Sequence, residues 1–529
     1  MTAITTCEML DYYVRINGDK LALMQNDRTF TYAEWEQQAT RLAQALSARG
    51  LGSGDRIAVL TFNCLEQFII LYATMKLGAV YVPINYRLAP QEITYILQQS
   101  EAKAVFSEGN ELCEKINSLS DSLSLDTFVR VDSTHPINSN ESKNGCWQAL
   151  DKLIADAPVG NIDFEPQPET IVYQMYTSGT TGFPKGVMVS QQQLANFVMS
   201  MILIPPRIDV GKLHLIVAPL FHAAALCNGI VALCMGRPVL VLKDFEPQQL
   251  VDTLVSEKIS EVMLVPAMIQ SVLQTVKNLD QYNFSHLEKI FYGASSMTVD
   301  VLRRAMDGFQ CQFQQGFGMT ESVASTTILT VEDHQKALNG RPELLRSCGR
   351  AAAFAALKIV DPDSRKELAI GEVGEIAVRS PFLMDGYSKQ PEKTNEVFVD
   401  GWYYSGDGGY MDAEGYVFIK DRLKDMIISG GENVYPAEVE NTLMSHPDII
   451  DVAVIGLPDE KYGETVVAIC VGKNAARPDD KAMIEYCRDL LAGYKIPRRY
   501  EYIDELPRNA SGKLLKVKLR ERFAGAVTE

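Results

Sequence analysis

The chain has 529 residues and a mass of 58.7 kDa, several times a usual single-core domain of about 100–200 residues, so two to four structural units are expected. Hydrophobic residues are 47% and charged residues 22%, which excludes a disordered chain, a collagen and a disulfide miniprotein. The 50 basic and 67 acidic residues give a net charge of −17, which argues against nucleic acid or an anionic membrane as the main partner. A local polyphosphate site stays open, because a small anion feels nearby charges and amides rather than the global sum.

The ten cysteines form no C-x-x-C pair and none sits near histidine at zinc spacing, so neither a metal site nor a redox motif is read. The start carries Glu8 and Asp11 where a secretory leader needs a basic end and an apolar run. No stretch approaches the roughly 18 consecutive apolar residues of a membrane span. A soluble, cytoplasmic protein with reduced thiols is the expectation.

In chain order, residues 31–50 have apolar residues at helical spacing and a closing glycine. Residues 55–62 form a short apolar run, 66–79 read as a helix, and 80–84 as another buried strand. The Ser/Asn-rich segment of about 117–145 reads as surface loop. Strand patterns resume at 170–176, 212–219, 237–243 and 261–266. This β-α-β rhythm predicts an α/β fold with parallel sheets covered by helices. Past residue 350 the texture becomes short, turn-punctuated strands (357–361, 371–379, 401–422), which predict an antiparallel sheet or small barrel. After Lys424 comes a unit of about a hundred residues, long enough for its own core, ending in an amphipathic helix at 514–523.

The strongest chemical signal is Tyr176 to Val187, YTSGTTGFPKGV. A β-branched and aromatic run feeds a loop in which Thr177, Ser178, Thr180 and Thr181 supply hydroxyls, Gly179 and Gly182 free the backbone amides, and Lys185 adds charge. That is the chemistry of holding phosphates. It is not a Walker A loop, since Pro184 precedes the lysine and Gly186 follows it.

Further segments follow in order: QGFGMTES (315–322), YYSGD (403–407), DRLKD (421–425), GGENVYPAEVE (430–440) and PRNASGK (507–513). With the first loop, they resemble the signature motifs of the adenylate-forming superfamily, which includes acyl-CoA synthetases, adenylation domains of peptide synthetases and beetle luciferases. The resemblance covers essentially the whole chain. It implies a large N-terminal domain of parallel α/β sheets plus a small β-barrel (1–423) and a small mobile α+β C-terminal domain (424–529), hinged at Lys424. It also implies ATP and Mg²⁺, with coenzyme A as co-substrate.

Each motif also has a reading of its own. Gly316 and Gly318 flank Phe317, so an aromatic face can meet a planar base with bare backbone beside it, and Gln315 and Met319 complete the stretch. Thr320 offers a hydroxyl and Glu321 a hard oxygen for Mg²⁺, although a Thr-Glu pair is ordinarily a helix start. Asp407 reads as a turn former between glycines; by resemblance it holds the ribose hydroxyls, and Arg422, at the end of an apolar strand, contacts the same ribose. Lys513 reads as a solvated lysine before a helix; by resemblance it performs adenylation. Residues 495–522 hold nine basic and four acidic side chains, which suits a lid over polyphosphate, though charge runs are ordinarily solvated faces. Gly430, Gly431 and Glu432 by resemblance line the thiol channel. FYGASSM (291–297), with Gly293, Ala294 and Ser295, resembles the loop between adenine and acyl group.

The acyl side is less legible. APLFHAAAL (218–226) resembles the segment beside the acyl pocket, with His222 at its mouth and Ala223 and Ala225 small enough to admit a tail or a packed helix. His222 reads as a core or gating residue rather than a base. No acid stands near it to pair with an ammonium, so α-amino acids are disfavoured. Gln191, Ala225 and Ser380 depart from residues common in the family. The expected activity is ATP-dependent activation of a carboxylic acid, medium- or long-chain fatty acids before aryl or cinnamic acids, followed by transfer to coenzyme A. Loading of a carrier protein and a non-enzymatic nucleotide sensor are the alternatives, and a homodimer is left open.

Overall fold

The computed structural model describes residues 4–119, 123–132, 147–158, 162, 164–177, 184–295, 297–422, 425–429, 432–459, 462–488, 490–508 and 514–524. Two large sheets share a helical layer. The first has eight strands in the order Gly386–Tyr387, Lys185–Ser190, Ile171–Thr177, Val80–Pro83, Arg56–Leu60, Ala102–Ser107, Thr127–Arg130 and Gln148–Ala149, the last six mutually parallel. The second has nine, in the order Arg350–Ala351, Thr327–Leu329, Gln312–Phe317, Lys289–Gly293, Glu261–Leu264, His214–Ile216, Val239–Val241, Leu21–Gln25 and Arg28–Thr31. Its strands from Gln312–Phe317 through Leu21–Gln25 are parallel, and the others run antiparallel at the edges.

The helix Leu65–Leu77 is mostly apolar and buried on every side, and only Lys76 escapes burial. Such a helix must be covered all round. It packs in one core with Ile57, Tyr81 and Val172 of the first sheet and Leu23, Ile216 and Val239 of the second. Gly78 stops it in the left-handed conformation, and a Cβ there would lie 2.3 Å from the Phe164 ring. The amphipathic helix Tyr32–Ser47 starts from a reciprocal cap between Thr31 and Glu34 and lays Trp35, Ala39, Leu42 and Leu46 on the same core.

One expectation is corrected. The predicted loop of 117–145 contains the strand Thr127–Arg130, paired in parallel with Ala102–Ser107. Only Phe128 and Val129 are apolar, too few for the pattern to register, and buried Arg130 is neutralised by Asp132 at 2.9 Å.

Residues 356–422 form the expected antiparallel sheet of five strands: Ala356–Val360, Gly374–Arg379, Phe398–Val399, Trp402–Met411 and Val417–Arg422. Beyond it, the paired strands Ile449–Asp459 and Gly463–Gly472 carry helices on both faces. Val452 and Val454 point to the helices Pro436–Leu443 and Asp480–Arg488, while Ala453, Ile455 and Leu457 point to Leu519 and Phe523 of Lys516–Ala524. This period of two gives the C-terminal segment two apolar cores built from its own residues. No described helix is long and apolar enough to cross a membrane.

The strand starts of the nine-stranded sheet hold a buried charge cluster. His214, Glu261 and Lys289 stand side by side in the parallel register, with Arg237 just before Val239. Lys289 Nζ lies 2.9 Å and His214 Nδ1 3.3 Å from the Glu261 carboxylate, and Arg237 completes the set. Burial works to raise the Glu261 carboxyl, but Lys289, His214 and Arg237 overcome it and hold it well below the usual range.

Candidate active site

The strand ends on the opposite side are stripped of side chains. Lys289–Gly293 and Gln312–Phe317 run parallel and finish with Gly293 opposite Gly316. A Cβ on Gly293 would sit 2.2 Å from the Gly316 carbonyl oxygen, and one on Gly316 would sit 2.4 Å from Ser325 Oγ. The chain leaves the first strand through Ala294 at φ 69, with Ser295 next, and the second through Phe317, partly buried on the edge of the main core. Gly318 is pressed against the Ala324 carbonyl, where a Cβ would come within 1.9 Å. In open parallel sheets the crevice beyond the strand ends is where ligands bind.

Met319 leads into a single 3-10 turn, Thr320–Ser322, fixed by the Met319 N–H donating to Ser322 Oγ at 3.1 Å. Val323 closes the turn at φ 64, a costly conformation for a β-branched residue. Gln315 lies 3.5 Å from the Tyr292 hydroxyl, which also meets His334 Nε2 at 2.9 Å. His334 is neutral: burial pushes its pKa down to about 4, and Nδ1 donates to the Thr330 carbonyl.

Thr177 and Lys185 face each other as the last pair of the hairpin Ile171–Thr177 and Lys185–Ser190. Ser178, Gly179, Thr180, Thr181 and Gly182 lie outside the described residues. Lys185 Nζ sits 4.6 Å over the Tyr387 ring, and the Tyr387 hydroxyl donates to Glu321 Oε1 at 2.9 Å. Lys185 and the candidate metal carboxylate Glu321 therefore meet at one tyrosine. No motif or spacing marks Tyr387 in the sequence; its contact with Glu321 is purely tertiary.

Asp407 is not a turn former. It lies inside the strand Trp402–Met411, 5% exposed, directly opposite Arg422 in the antiparallel register. Its N–H donates to Ser405 Oγ, and Gly406, at φ 71, donates to Glu375. Burial, then the nearby Asp407 charge among lesser causes, raises the Glu375 carboxyl, although Gly406 opposes this. Only the backbone of Arg422 is described. Cys348 ties the strand Val417–Arg422 to the nine-stranded sheet: its N–H donates to the Val417 carbonyl, and its own carbonyl accepts from Thr327, opposite Phe317.

His222 stands just before the helix Ala223–Cys234 without a side-chain capping bond, its ring against Phe221 and its buried Nε2 without a partner among the described residues. Burial, with a smaller contribution from Arg87, pushes its pKa down to about 4, so it carries no charge near neutrality. Ala223 joins the main core, while Ala225 packs with Ala218, Met263, Phe291, Ile328 and Ala352 in a smaller apolar cluster. Met201, Ile204, Ala224, Val265 and Met268, all partly exposed, border that cluster. Gln191 is buried and holds the N-terminal helix, its side-chain oxygen accepting from the Cys7 N–H at 3.1 Å. Lys424, Gly430, Gly431 and Lys513 lie outside the described residues, and Glu432 is exposed at the start of Glu432–Val434.

The donor set suits magnesium. Among the described residues no three His, Cys, Asp or Glu side chains could cage an ion, but Glu321 and Thr320 offer hard oxygens, and Tyr387 links Glu321 to Lys185. Mg²⁺ is characteristically held by one or two carboxylates, with water and substrate phosphates completing the shell.

Residues 10–388 match the AMP-binding enzyme family, and residues 438–513 match the AMP-binding enzyme C-terminal domain. A fatty acid–[acyl-carrier-protein] ligase of Streptomyces coeruleorubidus is 35% identical over 95% of this chain and 93% of its own. A feruloyl-CoA synthase of an Amycolatopsis species is 36% identical over 96% and 97%. ATP-bound MatB from Rhodopseudomonas palustris superposes with a TM-score of 0.88 at 27% identity, covering 99% of this chain and 100% of that one. The chain belongs to the AMP-binding enzymes of the adenylate-forming superfamily.

Proposed function

We propose that this protein activates a carboxylic acid with an uncharged, apolar tail as its acyl-adenylate and transfers the acyl group to coenzyme A, releasing AMP and pyrophosphate. The observation that carries the substrate class is the small apolar cluster around Ala225 and Phe291, beside the Gly293 strand end. Its borders include Met201 and Met268, with Met263 inside, and methionine adapts to chains of varied length. His222, just before the helix that carries Ala225, is neutral and offers no counter-charge to an ammonium. Medium- or long-chain fatty acids fit this best, ahead of aryl or cinnamic acids.

In the first half-reaction the acid's carboxylate oxygen attacks the α-phosphorus of ATP and pyrophosphate leaves. Two anions must approach, so cations and backbone amides dominate the catalysis. Lys185 and the 177–182 loop take the leaving phosphates, Lys513 bridges carboxylate and α-phosphate, and Asp407, Arg422 and Phe317 hold the nucleoside. Glu321 and Thr320 would hold Mg²⁺, which would supply charge neutralisation to the phosphates. The residues 1–423 and 424–529 act as two domains. Rotation about Lys424 then withdraws Lys513 and brings Gly430, Gly431 and Glu432 beside the incoming thiol, which also keeps water from the mixed anhydride. Lys513→Ala should abolish adenylate formation while sparing thioester formation from supplied acyl-adenylate; equal loss of both halves would defeat the alternation.

A second reading, transfer to a carrier protein, draws support from the carrier-protein ligase that is 35% identical. Mass spectrometry of products from a panel of acids, with ATP and Mg²⁺ and with or without coenzyme A, tests both. An acyl-CoA peak requiring every component is expected. Acyl-adenylate that persists after coenzyme A is added would transfer the reading to a carrier protein.

A further inference from the structure

Tyr387 belongs to the two-residue edge strand of the eight-stranded sheet, whereas Glu321 follows a strand of the nine-stranded sheet. The segment 384–388 spans the gap between them. On one side, the Asp385 N–H donates to the Met188 carbonyl at 2.9 Å and the Ser388 N–H to the Gly186 carbonyl at 2.8 Å, next to the phosphate loop. On the other, the Met384 N–H donates to the Glu321 carbonyl at 2.8 Å and Tyr387 Oη to Glu321 Oε1 at 2.9 Å. The Tyr387 N–H is anchored on Thr394 Oγ1 at 2.9 Å, and Gly386, at φ 149, packs against the same threonine. Backbone and ring are thus fixed, and the ring is 5% exposed.

We infer that Tyr387 is a positioning residue: its hydroxyl fixes the Glu321 carboxylate for magnesium while its ring face seats Lys185 for the phosphates. The inference rests on the reading of Glu321 as the magnesium carboxylate. One carboxylate oxygen accepts from the phenol, which selects a rotamer and leaves Oε2 for the ion. Hydrogen bonds of this kind set the orientation and basicity of metal ligands. The ring beneath Lys185 holds an ammonium by cation–π attraction, close enough to count at 4.6 Å. One side chain therefore sets the spacing between metal and lysine, the two cations that share the pyrophosphate charge. A phenylalanine would fill the same volume, so only the hydroxyl distinguishes positioning from packing.

The test measures Mn²⁺ binding by electron paramagnetic resonance in the presence of α,β-methylene-ATP, beside calorimetry of that nucleotide without metal. Glu321→Gln and Tyr387→Phe should each weaken Mn²⁺ binding, the latter about tenfold, with metal-free nucleotide affinity retained. In turnover, Tyr387→Phe should raise the Mg²⁺ requirement by a similar factor and recover its kcat at high Mg²⁺. Tyr387→Leu should add a few-fold rise in KM for ATP through Lys185. If Glu321→Gln weakens Mn²⁺ binding and Tyr387→Phe does not, the positioning role is wrong and the reading of Glu321 stands. If Glu321→Gln leaves Mn²⁺ binding unchanged, both fall. If Tyr387→Phe weakens metal-free nucleotide binding as much as metal binding, the tyrosine is structural and the inference is overturned.

Discussion

The two ends of the nine-stranded sheet are built on opposite plans. At the strand starts, His214, Arg237, Glu261 and Lys289 bring charge into the interior and gather it around one carboxylate. At the strand finishes, Gly293, Gly316 and Gly318 remove side chains where a Cβ would collide with backbone or side chain, and Ala294 and Val323 accept left-handed conformations. One end directs its polar groups at one carboxylate; the other brings backbone and small side chains into close contact, with Gly293 and Gly316 buried. A parallel sheet offers the same hydrogen-bonded frame at both ends, so the chemistry is assigned by what the flanking residues do with charge and volume.

Glu261→Ala tests the closed end most severely. It strands Lys289 and Arg237 without their buried counter-charge, and a loss of about 3–5 kcal/mol of stability is expected in denaturant unfolding. A loss below about 1 kcal/mol would mean the cluster is not a closed electrostatic unit. Lys185→Met tests the open end: adenylate formation should fall roughly 10²–10³-fold in pyrophosphate exchange, with the unfolding temperature unchanged. An equal fall in stability would show that the open end also carries structural charge.

Acid probes the boundary between the plans. The folded pKa of His334 is about 4, below an ordinary histidine, so the unfolded chain takes up the proton first. The stability this neutral histidine contributes is full above pH ~6.5 and is lost as pH falls toward 4, on the order of 3 kcal/mol. Unfolding midpoints across that range should fall, and His334→Gln should flatten the dependence. The mildest change is Gly293→Ala. Its Cβ must displace the Gly316 carbonyl, costing roughly 1–3 kcal/mol and raising KM for ATP more than it lowers kcat. An unaltered KM would separate this strand end from the nucleotide.

Much of this was legible in sequence because it rests on local pattern. The apolar runs at 55–62, 170–176 and 261–266 became strands, and the helix at 66–79 could be read even though it has no polar face. Thr127–Arg130 was illegible because two apolar residues in a polar stretch carry no period, and its burial comes from the neighbouring strand. Asp407 misled for the opposite reason: flanking glycines signalled a turn, yet they serve a bulged strand. The motifs brought Lys185, Glu321, Asp407 and Arg422 into view as separate entries in a line. The convergence of Lys185 and Glu321 on Tyr387 depends on contacts between residues dozens of positions apart, and the pairing of Asp407 with Arg422 on the register of two neighbouring strands.

The burial of the helix Leu65–Leu77 on every side has a consequence for synthesis. It leaves the ribosome early, yet its second wall includes Ile216, Val239 and Val241. At about 5–20 residues per second, ~160 further residues take roughly 10–30 s to appear. Throughout that interval a strongly apolar cylinder has one face and no lid, and any encounter with another nascent chain offers it a substitute. The N-terminal half is therefore expected to engage chaperones during translation and to aggregate when produced as a truncated fragment ending before Val239. The strand ends at Gly293 and Gly316, further along the chain than Val239, form only after that wait.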